Sequence, residues 1–92
     1  MNVWPYAIRV SGVSFRMKDN QELLSDDVWV ERIRNNAHDP KAIGVWNVRD
    51  RQHLFIGYLP REISAHITDD QLPTRGKIVW RAETGLGIRV QV

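Results

Sequence analysis

The chain has 92 residues, a net charge of +2, no cysteine, 42% hydrophobic residues and 26% charged residues. These values are typical of one soluble domain with a modest core, and they exclude a disulfide framework and thiolate chemistry. No apolar run approaches the roughly 18 residues of a membrane span, so no membrane association is expected. The N-terminus lacks the features of a signal peptide, which favours an intracellular, cytoplasmic protein, nucleoid-associated if it is bacterial. The mild basicity permits an anionic partner without requiring one.

The first half of the chain predicts two strands separated by a loop. Apolar and polar residues alternate from Ala7 to Phe15, which indicates a half-buried strand. Gly12 interrupts this strand, and a glycine there indicates a bulge, a bend or a closely approaching backbone. A polar loop at 18–26 follows, and residues 27–34 predict the second strand.

A charged hairpin turn at 49–52 separates the third and fourth predicted strands, which cover 41–48 and 53–59. In the third strand, the alternation places Ile43 and Val45 inward and Trp46 outward, or the reverse. Like Gly12, Gly57 lies inside its predicted strand.

The last third predicts one short helix and two more strands. Pro60 suits the first position of a helix, and Ile63 and Ile67 lie one turn apart where they can anchor it to a core. The strands cover 74–82 and 86–92. The chain is therefore predicted to be a single domain over 1–92, with its core in 7–92. Its fold class is mainly β, a small six-stranded OB-like or SH3-like antiparallel barrel with one short helix.

The polar turn at 35–43 has the sequence Asn-Asn-Ala-His-Asp-Pro-Lys-Ala-Ile. It concentrates more hydrogen-bonding side chains than a connection needs, namely Asn35, Asn36, His38 and Asp39. These side chains are candidates for binding a ligand. The alternative is structural, because Asn and Asp side chains also cap turns by bonding the nearby backbone.

Three segments together resemble the HIRAN domain, a module of fork-remodelling ATPases that also occurs as a small free-standing protein. They are Val-Ser-Gly-Val-Ser-Phe at 10–15, the polar turn at 35–43, and Ile-Gly-Tyr-Leu-Pro-Arg-Glu at 56–62. The resemblance extends over about residues 7–92. It implies an OB-like barrel that binds single-stranded DNA and, in the fork remodellers, captures a free 3′ end.

The resemblance implies DNA-binding roles for matching residues of this sequence. Phe15 matches an aromatic that stacks on a base, and Asp39 matches the acceptor of the terminal hydroxyl. This sequence has Ser14 where the family has a basic residue, and Arg16 is predicted to substitute from the same strand face. The complete predicted set is Phe15, Arg16, Asn35, Asn36, His38, Asp39, Tyr58, Arg61 and Trp80.

Structural interpretations compete with these roles. Phe15, Tyr58 and Trp80 are also compatible with core packing, since Trp80 alternates in phase with Ile78 and Ala82. Arg61 is compatible with a solvated helix position. Trp29 and Trp46 are predicted to pack on the barrel or cover its edge, and no function is assigned to them.

No catalytic, cofactor or metal site is predicted. His38, His53 and His66 are scattered and lack the spacing of zinc ligands. Asp26 and Asp27 are adjacent and would face opposite sides of a strand, so they cannot act as an acid–base pair. Any ATPase or nuclease activity would come from a partner enzyme.

We therefore expect a non-catalytic nucleic-acid-binding module in DNA repair or replication, with single-stranded DNA carrying a free 3′-OH as its preferred ligand. RNA is an alternative ligand, and the sequence does not determine the oligomeric state. A helicase or nuclease is a candidate partner. The alternative is a protein–protein interaction barrel that serves as an adaptor for a DNA-processing enzyme. A small hydrolase or metal-dependent enzyme is a third interpretation, which the missing ligand spacing disfavours.

Overall fold

A computed structural model describes residues 4–92, so the first three residues of the predicted domain lie outside the described part. The strands are β1 (Ile8–Arg9), β2 (Asp27–Arg32), β3 (Ile43–Arg49), β4 (Gln52–Tyr58), β5 (Thr74–Arg81) and β6 (Ile88–Gln91). Two short helices, α1 (Val13–Arg16) and α2 (Arg61–Ser64), and a 3-10 turn at Asp69–Gln71 lie between them. The mainly β prediction is confirmed.

All six strands belong to one antiparallel sheet in the order β1-β6-β5-β2-β3-β4. The sheet curls into a half-barrel, and its two outer strands meet at one point. There, just beyond β1, the Ser11 N–H donates to the Tyr58 carbonyl at 2.7 Å, and the Tyr58 N–H donates to the Ser11 carbonyl at 2.8 Å. This bridge pairs backbone groups that the sheet would otherwise expose at its edges.

The core consists mainly of aliphatic side chains from one face of the sheet and from the segments around α1 and α2. Ile43 and Val45 point inward and are fully buried, which decides between the two predicted orientations of β3. Ile67, which follows α2, is also buried, and Ile63 packs against the core as predicted. The buried hydrophobic cluster comprises Ile8, Val10, Val13, Met17, Val28, Val30, Ile43, Val45, Ile56, Leu59, Ile67, Ile88 and Val90.

The predicted first strand is wrong in its second half. Gly12 adopts a left-handed conformation with φ of 78°, and the chain turns there into α1. Val13 in α1 and Met17 directly after it are buried, whereas Phe15 between them is 91% exposed. Phe15 is therefore not a core residue. Arg16 also cannot share a strand face with Ser14, because both residues are helical.

Two bulges change which side chains face outward. In β4, Val45 pairs with Gly57 and Trp46 pairs with Phe55, so Ile56 is an extra residue on that strand. Similarly, Val79 is the extra residue in β5, and it breaks the predicted phase between Ile78 and Trp80. Trp80 is 51% exposed as a result, so the competing interpretation that it packs in the core is wrong.

Buried Asn47 on β3 attaches the loop at 18–26 to the sheet. Its Oδ1 accepts the Leu24 N–H at 2.6 Å, and its Nδ2 donates to the carbonyls of Ser25 and Asp27 at 2.9 and 2.8 Å. One amide side chain thus bonds three backbone groups between Leu24 and Asp27.

Replacing Gly57 by alanine tests the closure of the barrel. Its φ of 152° disfavours a side chain, and a Cβ would lie 2.3 Å from the Ser11 carbonyl oxygen. We expect Gly57→Ala to lower the free energy of unfolding by at least about 2 kcal/mol in denaturant titration. Gly12→Ala is the matched control, because its Cβ would meet only ordinary contacts at 3.6 Å and its cost is left-handed strain of about 1–2 kcal/mol. A smaller loss of unfolding free energy in Gly57→Ala than in Gly12→Ala would contradict the close approach of the Ser11 carbonyl to residue 57.

Replacing Asn47 by alanine tests the loop attachment. The change leaves three backbone groups without their partner, so we expect a loss of about 2 kcal/mol in the free energy of unfolding. Asn47→Asp should lose at least as much, because it buries a carboxylate and places one of its oxygens against the Ser25 and Asp27 carbonyls. The exposed Gln52→Ala is the control, expected within about 0.5 kcal/mol of the original protein. An unchanged unfolding midpoint in Asn47→Ala would show that the loop holds by other contacts.

Candidate nucleic-acid interface

Except for Trp80, the predicted site residues lie at one end of the barrel for a topological reason. The polar turn leads into β3 and α2 follows β4, and the start of β3 pairs with the end of β4 through Gly44 and Tyr58. The Leu59 N–H extends this pairing by donating to the Ile43 carbonyl at 3.0 Å. The Ser11–Tyr58 bridge brings α1 to the same end of β4.

The polar turn is held partly by its own side chains. Asn36 Oδ1 accepts the N–H groups of His38 and Asp39 at 3.0 and 3.1 Å, so this oxygen has the turn-capping role. The Nδ2 of Asn36 makes no hydrogen bond within residues 4–92 and remains able to donate. Asn35 adopts φ of 64°, a left-handed conformation that asparagine tolerates, and its side chain and that of His38 are exposed.

Asp39 uses its two carboxylate oxygens differently. Oδ1 accepts the Lys41 N–H at 2.9 Å, which is a structural cap. Oδ2 lies 3.6 Å from the Nε of Arg61, the first residue of α2. The carboxylate is 24% exposed and Arg61 is 78% exposed, so the pair lies at the surface and holds its partners weakly. One oxygen therefore maintains the turn while the other lies beside a surface cation.

Arg16 lies against the aromatic side chains of β4. Its Nη2 donates to the Tyr58 hydroxyl at 3.0 Å, and its guanidinium is 5.0 Å from the Phe55 ring centroid and 5.8 Å from that of Tyr58. These distances are those of cation–π contacts. Phe55 and Tyr58 themselves meet edge to face with centroids 5.2 Å apart.

The bulge at Ile56 creates this aromatic pair. In a regular strand, residues 55 and 58 would point to opposite faces, and the extra residue places both on the outer face. Trp46 extends the group, with its ring 5.1 Å from Phe55. Gly44 makes room for the indole, since a Cβ there would lie 2.5 Å from the Trp46 ring. We call Trp46, Phe55 and Tyr58 the aromatic cluster.

A groove of about 410 Å³ runs beside the aromatic cluster and is bordered by Arg32, Ile33 and Arg34. The two arginines differ in role. Arg32 is committed to structure: its guanidinium donates to the Asp69 carboxylate at 3.0 Å and to the carbonyls of Lys41 and Ile67 at 2.6 and 2.7 Å. Arg34 is exposed and has no hydrogen bond or ion pair within the described part of the chain. It is therefore available to an anionic ligand.

Sequence reasoning missed Phe55 and Arg34 and assigned no function to Trp46. The signal for Phe55 was present, because a glycine inside a strand indicates a bulge and a bulge changes which neighbours share a face. Conversely, no contact within residues 4–92 joins Trp80 to the aromatic cluster. It lies on β5 beside Arg89 of β6, whose guanidinium is 6.0 Å from its ring. A DNA-binding role for Trp80 stays a prediction.

Phe15 lies on α1 next to Arg16, with its ring almost wholly in solvent. Over residues 4–92, no group of three or more His, Cys, Asp or Glu side chains is placed to hold a metal ion. In the same residues, no helix is long and apolar enough to cross a membrane.

The comparisons with known proteins identify the family. A search of curated proteins and a search of solved structures give no significant match. The family model of the HIRAN domain matches residues 5–71, which contain the polar turn, the aromatic cluster and both short helices. HIRAN domains are nucleic-acid-binding modules in DNA repair and remodelling. The chain belongs to the HIRAN domain family.

Proposed function

We propose that this protein is a non-catalytic module that binds single-stranded DNA and prefers a strand ending in a free 3′-OH. The observation that carries the proposal is Asp39, whose outer oxygen lies 3.6 Å from Arg61 at the barrel end that also holds exposed Phe15 and the Arg16–Tyr58 pair. A carboxylate, a cation and aromatic rings together match the hydroxyl, phosphate and base of a strand terminus.

Exposed Phe15 supports the base-stacking part of the proposal. A phenylalanine ring 91% exposed leaves a large apolar surface in water. A nucleotide base has a flat π-face that would cover such a ring, and stacking of this kind is worth about 1–3 kcal/mol per base. The short helix α1 presents the ring away from the core, because its buried side is occupied by Val13 and Met17.

Arg16, Arg34 and Arg61 support the phosphate-binding part. All three are exposed, and they surround the aromatic cluster and the polar turn. Arg61 also offsets part of the repulsion between Asp39 and a neighbouring phosphate. Contacts of this kind release counterions from the strand, so the affinity should fall with salt concentration.

Asp39 supports the end preference. Its Oδ2 can accept a hydrogen bond from a 3′-hydroxyl, whereas it repels a phosphate at the same position. A bond of that type contributes roughly 1.5–3 kcal/mol, which corresponds to about a tenfold or greater preference for the hydroxyl end. A negative side chain within a cationic site thereby distinguishes a strand end from the interior of a strand.

Binding to matched oligonucleotides with 3′-OH or 3′-phosphate ends tests the end preference. We expect the original protein to bind the hydroxyl end at least about tenfold more tightly. Asp39→Asn keeps an oxygen for the Lys41 N–H but removes the charge, so the ratio of the two dissociation constants should fall towards one. Asp50→Asn, in the hairpin turn at the far end of β3 and β4, is the charge-matched control and should keep the original ratio. Equal binding of both ends by the original protein would refute end capture.

The salt dependence of binding tests the phosphate contacts. For single strands, each phosphate contact adds about 0.7 to the slope of log Kobs against log salt concentration. We expect Arg34→Gln to lower the magnitude of this slope by about that amount in fluorescence anisotropy titrations. Arg51→Gln, in the hairpin turn, removes the same charge away from the site and should leave the slope unchanged. An unchanged slope in Arg34→Gln would remove Arg34 from the interface.

A protein-binding adaptor is the second candidate function. Val79 and Trp80, on the β5 bulge, are 45% and 51% exposed and form an apolar surface away from the aromatic cluster. If no oligonucleotide binds at low salt, the DNA-binding proposal fails and the result favours the adaptor function. A helicase or nuclease would be a suitable partner in either case.

A further inference from the structure

Four side chains form a continuous row across the outer face of the sheet. The register pairs Trp29 of β2 with Arg75 of β5 on one side and with Trp46 of β3 on the other. Trp46 pairs in turn with Phe55 of β4. Directly opposed residues of antiparallel strands project from the same face, so these four side chains lie side by side. We call Arg75, Trp29, Trp46 and Phe55 the cross-strand row.

The row has a guanidinium at each end and aromatic rings between. The Arg75 guanidinium lies 5.9 Å from the Trp29 ring centroid, and that of Arg16 lies 5.0 Å from Phe55. The Trp29 indole N–H donates to a Glu31 carboxylate oxygen at 3.2 Å, which restrains the ring. The rings are only half-buried, because the barrel core is filled from the opposite face by Val28, Val30 and their neighbours.

The row is continuous with the candidate interface. A second groove of about 430 Å³ is lined by Trp29, Glu31, Trp46, Val48 and His53. It shares Trp46 with the groove that borders Arg34. A ligand that leaves the barrel end at Tyr58 would therefore pass along aromatic surface from β4 to β2.

The charges around the row favour an anionic occupant. Asp27 is hydrogen-bonded to Lys77, and this bond raises the pKa of the Lys77 amine. The pair therefore presents little net charge beside the row. Glu31 is the remaining acid among the outward residues of β2, and it accepts from Trp29. Three exposed cations outweigh this single negative charge, namely Arg75, Arg34 and Arg16. Aromatic rings flanked by cations suit a single strand, whose bases stack and whose phosphates are charged.

We propose that the cross-strand row is a stacking track for the nucleotides that precede the strand end, an inference that rests on the proposed function. Three interstrand spacings of 4.7–4.9 Å make the row about 14 Å long. At roughly 3.4 Å per stacked nucleotide, the track accommodates no more than about four nucleotides. The protein then binds the strand through two regions: the end at Asp39, and a short sequence-independent stretch on Trp29 and Trp46.

A length series tests the track. Oligo(dT) of two to eight nucleotides, all with 3′-OH ends, is titrated into the full chain. We expect affinity to rise with length and to level off after about four added nucleotides. Trp29→Ala and Arg75→Gln should each remove most of that rise, so their affinity for the eight-nucleotide strand should fall by about fivefold or more. Their affinity for the dinucleotide should not change. Trp29→Phe keeps a stacking ring and should retain the rise.

The controls are Tyr6→Ala and Arg9→Gln, which change an exposed aromatic before β1 and an exposed cation in β1, both outside the row. Both should behave as the original protein. Arg75→Gln changes an exposed side chain and decides the test if Trp29→Ala fails to fold. A full length-dependent gain in Arg75→Gln and in folded Trp29→Ala would overturn the track. Another outcome is that the original protein shows no preference for a 3′-OH end while its gain of affinity with length is still lost in the Trp29 and Arg75 variants. That result would refute end capture and support the track.

Discussion

The contact between the Ser11 backbone and Gly57 organises both the barrel and its surface. The two-hydrogen-bond bridge from Ser11 to Tyr58 joins the outer strands of the sheet, and only a glycine at 57 lets the Ser11 carbonyl come so close. The same part of β4 contains the bulge at Ile56. Closure and bulge together place Tyr58 beside Phe55 and bring α1 against them. The stability of the fold and the shape of the interface thus depend on the same few backbone atoms.

The polar turn shows how a structural role and a binding role can share one side chain. Asp39 caps the turn through Oδ1 and directs Oδ2 towards Arg61 at the surface. Because the first contact orients the carboxylate, a ligand that bonds the second oxygen would meet a group whose rotamer is already restricted. Such preorganisation reduces the entropy lost on binding. The turn-capping interpretation and the ligand-binding interpretation of Asp39 are therefore compatible.

The arginines divide into structural and available groups. Arg32 is three-quarters or more buried and bonds three groups that hold the polar turn to the chain after α2. Arg81 likewise donates to the Gln21 and Gly85 carbonyls. Arg34, Arg61 and Arg75 are exposed, and Arg16 rests on aromatic rings with its charge accessible. A mildly basic chain can in this way present a local cationic surface, although its total charge is only +2.

By itself the sequence determined the six-strand pattern, the hairpin from β3 to β4, the short helix after Pro60 and the family. These follow from alternation, turn residues and local motifs, which are properties of neighbouring residues. Only the tertiary structure decided the helical turn at Val13–Arg16, the outward position of Trp80 and the grouping of Arg16 with Phe55 and Tyr58. A bulge adds one residue to one strand and reverses the faces beyond it. Whether a strand bulges depends on the partner strand that it must match, and that partner is distant in the sequence.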